Sequence, residues 1–307
     1  MLSARNIDVL FRLTGQTEKR VFMNHKTTIP AGIVLTFFLS IVISHSLTLR
    51  PENLLNDVHA YSAGKKHVSS ASAKSLEKGD DAFYAIDYET AETLYQACLE
   101  NNPDNAAVYW RLARLYVSIG EALLPEHTAE RHPYFTSAVE YAERSIQLND
   151  KLAEGHTWLA ASLGVLADNA GPREKIKRAN IIKSELERAL ELNPQDDIAL
   201  SILGSFNREI ASMGWMEKVF AKTFLGSLPE GSYENAEVLF KKAISSNPRV
   251  IRHYYELGKL YKDLKRYEDA VSVLNEALTK PILMKSDKRR IKNITVLVEK
   301  MSEKIED

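Results

Sequence analysis

One spacing of small and large residues, clearest in residues 251–284, constrains the fold of this chain more than any other feature of its sequence. Gly258, Ala270 and Ala277 stand at positions 8, 20 and 27 of that segment, and large apolar residues stand at positions 4, 7, 11 and 24. Small residues let two antiparallel helices approach closely, while large ones fill the space between that pair and the next. The segment therefore predicts a helical hairpin that stacks on others like it.

The same spacing fits four earlier segments, so the chain is a repeat array. The marker residues of these four units are Gly79, Ala91, Tyr95, Cys98 and Pro103; Tyr109, Leu112, Ala113, Tyr116, Ala138, Ala142 and Ser145; His156, Leu159, Ala160, Leu163, Leu186, Ala189 and Pro194; and Leu200, Leu203, Gly204, Ala236, Phe240, Ala243 and Pro248. The units resemble the tetratricopeptide repeat of about 34 residues. We therefore predict an all-α fold, a tetratricopeptide-type α-solenoid with helical insertions, over residues 73–284.

Three of the units are longer than this repeat, and the extra length falls between the two helices of each unit. In the second unit, residues 120–132 are predicted to form a loop that ends where Pro133 starts a helix. In the third unit, residues 171–192 are predicted to form one long helix with Pro172 in its first turn. The surfaces that stack are thus retained while one rim of the array is built up.

The third insertion, residues 214–231, reads GWMEKVFAKTFLGSLPEG and predicts a helix with one wide apolar face. This face is expected to pack against neighbouring repeat helices. The alternatives are a surface for a partner and the wall of a cavity for lipid. The candidate residues are Trp215, Val219, Phe220, Phe224 and Leu225.

Residues 285–307 predict a last helix, in which apolar residues recur every three or four positions. Such a helix is expected to cap the array, because the end of a solenoid needs a polar outer face. A coiled-coil dimer is the weaker alternative, since only two heptads are present.

The N-terminal part divides into residues 1–26, 27–49 and 50–72. Residues 27–49 carry no charge and are long enough to cross a membrane. Basic residues concentrate in residues 1–26, which predicts a cytoplasmic N-terminus followed by a transmembrane helix or signal anchor. A cleaved signal segment that starts at Met23 is the alternative. Residues 50–72 are polar and predict a flexible linker.

This arrangement predicts a single-pass membrane-anchored or secreted protein. In a bacterium the repeat domain would be periplasmic with either kind of segment. In a eukaryote, an anchor in the mitochondrial outer membrane would leave the repeat domain facing the cytosol.

The sequence contains no pattern that predicts catalysis, a cofactor or a metal site. Phosphate-binding glycine loops and the G-x-S-x-G elbow are both missing. Forty basic and 41 acidic residues leave a net charge of −1, without the basic excess typical of nucleic-acid binding. The residues Glu126, His127, Glu130 and His132 are interpreted as solvated polar side chains. Cys98 is the only cysteine and is predicted to be buried.

Two further groups are candidates for contacts with a partner. Tyr109, Arg111 and Arg114 begin a repeat helix and are predicted to reach the concave surface, where arrays of this type hold peptides. A basic patch could meet an acidic partner or anionic lipid, although a solvated helix face is the more common meaning of such a run. Its residues are Arg173, Lys175, Lys177 and Arg178.

Four segments carry a resemblance to the regulator of microtubule dynamics family. They are YWRLAR (109–114), REKIKRANIIKSELERALELNP (173–194), the stretch 213–248 and YYELGKLY (254–261). The resemblance covers about residues 105–280 and includes the insertions. It implies a tetratricopeptide-like protein whose eukaryotic members associate with microtubules and spindle poles, and some of which are anchored to mitochondria. The GSLPEGS segment is more similar to the bacterial branch, where microtubules would not be partners.

We therefore expect a non-enzymatic, membrane-tethered repeat scaffold that mediates protein–protein interaction through its groove. The alternative is a domain that binds or transfers lipid or another apolar ligand at a membrane.

Overall fold

The computed structural model describes residues 74–166, 172–214, 218 and 229–306, all of which lie in one compact unit that begins at His67. Its helices are α1 (residues 74–84), α2 (Tyr88–Asn101), α3 (Ala106–Ala122), α4 (Thr128–Leu148), α5 (Ala153–Leu166), α6 (Pro172–Leu192), α7 (Asp197–Ser212), α8 (Tyr233–Ser246), α9 (Ile251–Asp263), α10 (Tyr267–Leu278) and α11 (Asp287–Glu306). No strand occurs in these ranges, which confirms the all-α prediction for them.

The helices pair as five antiparallel hairpins, from α1/α2 to α9/α10. Gly79 of α1 lies against Tyr95 of α2, and from α2 onwards each helix contacts the next one in sequence. The first helices of successive units, α3, α5, α7 and α9, also contact one another and form an inner layer. Short polar caps begin several of these helices. Asn105 accepts a hydrogen bond from the N–H of Ala107, and Ser232 accepts one from the N–H of Asn235.

Small residues at the predicted positions allow the close approach within a hairpin. A Cβ atom on Gly204 would lie 2.7 Å from Cε1 of Phe240, and one on Gly258 would lie 2.5 Å from Cδ2 of Leu274. Both large partners are fully buried. The spacing of small and large residues therefore works as the sequence predicted, with one side chain filling the place that a glycine leaves open.

The loop predicted over residues 120–132 is wrong in extent. Helix α3 runs to Ala122 and α4 already begins at Thr128, so Pro133 lies inside a helix. Proline lacks the N–H that would bond to the carbonyl of Ala129. Residues 129 and 133 are both exposed, so water can hydrate that carbonyl and the helix continues.

Contacts of Arg131 stabilise the early start of α4. Arg131 donates from Nε to the carbonyl of Gly120 at 3.1 Å and from Nη1 to that of Pro125 at 3.3 Å. Its guanidinium also lies 5.1 Å from the ring centre of Phe135, which is buried against Gly120. These tertiary contacts hold the first turn of α4 in place, and local propensity does not reveal them.

Two further helices lie in segments for which the sequence predicts helices. Helix α6 spans Pro172–Leu192 with Pro172 in its first turn. Helix α11 covers the last hairpin and inserts Ile294 and Met301, 0% and 2% exposed, into the core of the fifth unit. One face of α11 therefore packs on the last hairpin.

Several predictions fall on residues outside the described ranges. They include the segments 1–26, 27–49 and 50–72 and the apolar face at 215–225, of which only Lys218 is described. Among the helices that the structure describes, none combines the length and apolar character needed to span a bilayer.

Candidate functional site

The inner layer of helices surrounds a cavity of about 610 Å³. Side chains reach it from α3, α5 and α7 at helical spacing, three or four residues apart. On α5 they are Glu154, Thr157, Trp158, Ala161, Gly164 and Val165. The start of α9 and the segment before α11 complete the wall, so the described units from first to last share this one groove.

The two arginines predicted for the concave surface meet at one aspartate. Asp80 on α1 accepts from Arg111 Nε at 2.8 Å and from Arg114 Nη2 at 2.6 Å. Burial disfavours the charged carboxylate, but the two guanidiniums outweigh it and hold the pKa of Asp80 below its usual value. Arg114 also lies over the ring of Phe83, 3.9 Å from its centre, and both residues line the cavity.

Arg111 does not line the cavity, and the remaining predicted residues lie elsewhere. The hydroxyl of Tyr109 donates to the carbonyl of Pro103 at 3.0 Å, and Tyr109 is not among the residues that line the cavity. In the basic patch, Lys177 is exposed and Arg178 is half-buried, while the side chains of Arg173 and Lys175 lie outside the description. The same holds for Trp215, Val219, Phe220, Phe224 and Leu225.

One wall of the groove is acidic, a feature the sequence analysis missed. Glu154 at the start of α5 and Asp196 and Asp197 at the start of α7 all line the cavity. Asp196 caps α7 by accepting from the N–H of Ala199 at 2.9 Å, and it accepts from the Thr157 hydroxyl at 2.7 Å. We call Glu154, Asp196 and Asp197 the acid wall.

The carboxylates of the acid wall are close enough to repel one another. Burial raises the pKa of Asp196, and the negative charges of Asp197 and Glu154 raise it further, against the two hydrogen bonds that favour the ionised form. Asp197 accepts from His253 Nε2 at 2.9 Å, so this ring nitrogen carries a proton. A group placed here would meet concentrated negative charge.

The groove is closed by contacts between the second unit and the end of the array. Arg289 donates from Nη1 to the carbonyl of Leu123 at 2.9 Å and from Nη2 to that of Glu121 at 2.6 Å. The carboxylate of Glu121 lies 3.3 Å from Arg252 Nη1 and 3.8 Å from Arg290 Nη2. We call this group of five residues the clasp.

Charge favours the clasp at neutral pH. Burial disfavours ionised Glu121, but Arg252 and Arg290 outweigh it and lower the pKa of Glu121. A second link lies beside the clasp, where the N–H of Lys285 donates to the hydroxyl of Tyr88 at 3.2 Å. The array therefore curves far enough for its second and fifth units to meet.

The acidic residues and histidines of segment 126–132 lie at the surface. Glu126, His127, Glu130 and His132 are exposed around the start of α4, with His127 Nδ1 3.4 Å from Glu130 Oε1. Across the described ranges, no group of three or more His, Cys, Asp or Glu side chains is arranged to hold an ion.

A family model for regulator of microtubule dynamics proteins 1–3 matches residues 73–302, the whole array with its cap. The chain belongs to this family. Regulator of microtubule dynamics protein 1 of Pongo abelii is 30% identical over 239 residues, which cover 77% of this chain and 76% of the relative. The protein of the same name from Bos taurus is 31% identical over 208 residues, 66% of this chain and 65% of the relative.

Among solved structures, a thermophilic tetratricopeptide repeat protein of Thermus thermophilus is similar in fold. Its TM-score is 0.53 at 18% sequence identity, over 75% of this chain and 98% of that chain. This likeness, together with the family match, confirms the tetratricopeptide-like solenoid and the family resemblance seen in the sequence.

The family match extends beyond residues 105–280 at both ends.

The sequence predicts only part of the site. The carboxylates of the acid wall stand at helix starts, where acidic residues are common and say nothing about a groove. Which face of α5 and α7 points inwards follows from the small residues Ala160 and Gly204, since these must face the second helix of each hairpin. These small residues therefore also indicate which faces of α5 and α7 point towards the groove.

Proposed function

We propose that this chain is a non-enzymatic scaffold whose groove binds an extended segment of a partner protein. The observation that carries the proposal is the cavity walled by the inner helices of the array. Its aromatic and carboxylate side chains can hold the side chains of a peptide. Membership of a family with tetratricopeptide-like architecture supports a role in protein–protein interaction.

Amide groups in the wall suit the backbone of an extended peptide. Three side-chain amides, those of Asn193, Gln195 and Asn247, line the cavity. The carbonyl oxygens of Asn193 and Asn247 already accept from the N–H groups of Gln195 and Arg249, and the NH2 group of each amide can donate to a peptide carbonyl. A peptide with unpaired N–H and C=O groups can satisfy both itself and these side chains.

One glycine allows a sharp test. Gly164 on α5 lines the cavity, and a Cβ atom there would meet nothing within 4 Å. The change Gly164→Phe should therefore fill the groove without disturbing the core, whereas Gly164→Ala should leave most of the space open. The measurement is binding of the full chain to an array of peptides of varied sequence, with thermal unfolding as a check on folding.

We expect the wild-type chain to bind a defined set of peptides, Gly164→Ala to bind them equally, and Gly164→Phe to bind them at least tenfold more weakly. A tenfold loss corresponds to about 1.4 kcal/mol. Unchanged binding by a folded Gly164→Phe chain would place the peptides outside the groove and refute the proposal, as would a wild-type chain that binds no peptide.

The membrane tether is a second part of the proposal. It is supported by the 23 uncharged residues at 27–49 and by the basic residues before them. The full chain should stay with membranes after alkaline extraction, and deletion of residues 1–49 should release it. A full chain extracted as readily as the shortened one would leave the cleaved signal segment as the better explanation. Protease protection would then separate a periplasmic domain from one that faces the cytosol.

The printed names of the relatives refer to the regulation of microtubule dynamics. We extend this to the present chain only as a proposal for a eukaryotic host, where co-sedimentation with polymerised tubulin tests it. A chain that stays in the supernatant would remove microtubules as direct partners. The lipid-binding alternative rests on Trp215, Val219, Phe220, Phe224 and Leu225, and the acid wall offers an apolar ligand no support.

A further inference from the structure

The ionised side chains that line the groove are predominantly acidic. Six carboxylates and two guanidiniums line it among the described residues. Both cations are already engaged, since Arg114 pairs with Asp80 at 2.6 Å and Arg252 with Glu121 at 3.3 Å. Neither is therefore available to an acidic ligand without giving up its present partner.

Half of the carboxylates are neutralised by arginines. Glu121 belongs to the clasp, Asp287 pairs with Arg290, and Glu209 Oε1 lies 2.5 Å from Arg208 Nη2. The other half is the acid wall, and none of its three members has a Lys or Arg partner within the described ranges. The negative charge in the groove is therefore concentrated on one wall.

Oxygen atoms on the acid wall remain open to a ligand. Within the described residues, Glu154 has no hydrogen-bond partner at either oxygen, and Asp197 bonds only through Oδ2, to His253. Asp196 uses one oxygen for Ala199 and the other for Thr157, but each carboxylate oxygen can accept a second hydrogen bond. An ammonium or guanidinium group donates three or five hydrogen bonds and accepts none, which complements this set.

Helix capping and the helix dipole explain only part of the arrangement of the acid wall. The N-terminal ends of α5 and α7 each carry about half a positive charge, which favours acidic residues nearby. Two helix ends thus offset about one unit of charge against three carboxylates. Capping accounts for Asp196 alone, so a surplus of negative charge faces the cavity.

An apolar surface lies next to the acid wall. Trp158 stands four residues after Glu154 on α5, so the two side chains are neighbours on one helix face, and both line the cavity. The stem of a lysine or arginine is a chain of methylene groups that packs on such a ring while its charged end reaches further. The ring face also attracts a cation directly.

From this geometry we infer that the partner segment is basic, and that a lysine or arginine of the partner places its charged end among Glu154, Asp196 and Asp197 with its stem against Trp158. The inference rests on the proposed function, because it names the class of peptide that the same groove takes. The occupant is a protein segment with basic residues; acidic and neutral segments are the alternatives that the experiment distinguishes.

Three fluorescent peptides of equal length and identical apolar residues, with Lys, Gln or Glu at the variable positions, provide the probe. Fluorescence anisotropy with the full chain measures their affinities. We expect the Lys peptide to bind at least tenfold more tightly than the Gln peptide, and the Glu peptide to bind most weakly. Added salt should weaken the Lys peptide more than the Gln peptide, because it screens charge.

Matched variants locate the preference. Glu154→Gln and Asp197→Asn should each remove most of the advantage of the Lys peptide and leave the Gln peptide unchanged. Glu140→Gln makes the same change of charge at an exposed site on α4 outside the cavity and should have no effect. Thermal unfolding shows whether each variant is folded. Because two variants are tested, one folded variant is enough to test the inference.

The outcomes separate this inference from the function on which it rests. If Gly164→Phe abolishes binding of all three peptides but the Lys and Gln peptides bind equally, the groove binds peptides and the basic preference is wrong. A preference for Lys that survives both acid-wall variants also overturns the inference. If Gly164→Phe weakens the binding of none of the peptides, the proposed function itself is wrong.

Discussion

At the scale of single residues, stability depends on glycines whose missing side chain makes room for a ring or a branched chain. Gly204 is such a site, because a Cβ atom there would lie 2.7 and 2.8 Å from two ring atoms of fully buried Phe240. Gly164 is the opposite case, with open space where its side chain would be. The same substitution should therefore have opposite effects at the two sites.

We expect Gly204→Ala to destabilise the chain by about 1–2 kcal/mol, since overpacking costs about 1–3 kcal/mol and alanine recovers part of it through helix propensity. Gly164→Ala should stabilise it by up to about 1 kcal/mol through propensity alone. Urea unfolding of both variants measures the difference. Equal shifts would mean that the ring of Phe240 moves aside freely and that the contact matters little.

His156 couples stability to pH. Its Nδ1 lies 2.6 Å from Glu185 Oε2 and its Nε2 lies 3.0 Å from the carbonyl of Asp150, so both ring nitrogens face acceptors. Only the protonated ring can donate to both. The hydrogen bond to Glu185 raises the pKa of His156 above its usual value, against the effect of burial.

A raised pKa fixes the direction of the effect. The folded state holds the proton more tightly than the unfolded state, whose histidine titrates near pH 6.5. The added stability is thus complete below about pH 6.5 and is lost as the pH rises through the folded pKa. The difference in melting temperature between wild type and His156→Asn should be larger at pH 6 than at pH 9. A difference that stays constant would show that the proton plays no part. Glu185→Gln removes the acceptor that raises this pKa, so in that background the difference should vary less with pH.

At the scale of elements, the sequence predicts helices well where the repeat spacing is followed. It predicts them less well where a tertiary contact determines the residue at which a helix begins. The small residues Ala160, Gly204 and Gly258 mark their hairpins, and Pro172 marks the start of α6, because these features act through local geometry. The sequence predicts a later start for α4 because proline normally favours the first turn of a helix, as at Pro133. The anchoring of Arg131 to carbonyls across the turn overrides that local preference.

The capping helix α11 should stabilise the array through one apolar face. Ile294 is fully buried in the core of the fifth unit, whereas Val296 is 47% exposed on the same helix. We expect Ile294→Ala to cost about 2–5 kcal/mol, the usual range for a buried aliphatic side chain. Val296→Ala should change stability by less than about 0.5 kcal/mol. Similar small losses for both would show that the cap is dispensable.

At the scale of the whole array, the features that matter most for function lie far apart in the chain. Glu121 and Arg252 are 131 positions apart, and the acid wall joins residue 154 to residues 196 and 197. Repeat spacing predicts that hairpins stack, but the curvature that brings the second unit against the fifth is the sum of many small rotations between units. The sequence therefore predicts the kind of groove and leaves its closure and its charge to be found in the structure.

The clasp makes this closure testable. Glu121 is 14% exposed and pairs with Arg252 and Arg290, so Glu121→Gln removes the ion-pair partner of Arg252, while Arg290 keeps its pair with Asp287. Breaking a buried ion pair costs about 3–5 kcal/mol, and the partial exposure of Glu121 favours the lower end, about 3 kcal/mol. Glu140→Gln, at an exposed site, should cost less than about 0.5 kcal/mol. Loss of the clasp should also raise the radius of gyration measured by X-ray scattering.

Acid should reproduce the effect of this substitution. Because the pKa of Glu121 is lowered in the folded state, its contribution is complete above the unfolded pKa, about 4.3, and is lost as the pH falls through the folded pKa. The gap in stability between wild type and Glu121→Gln should thus be widest at neutral pH and narrow on acidification. A gap that persists at low pH, or an unchanged radius of gyration in the variant at neutral pH, would show that the ends of the array are held together by other contacts. The apolar packing of α11 would then carry the closure, and Ile294→Ala should expand the array where Glu121→Gln does not.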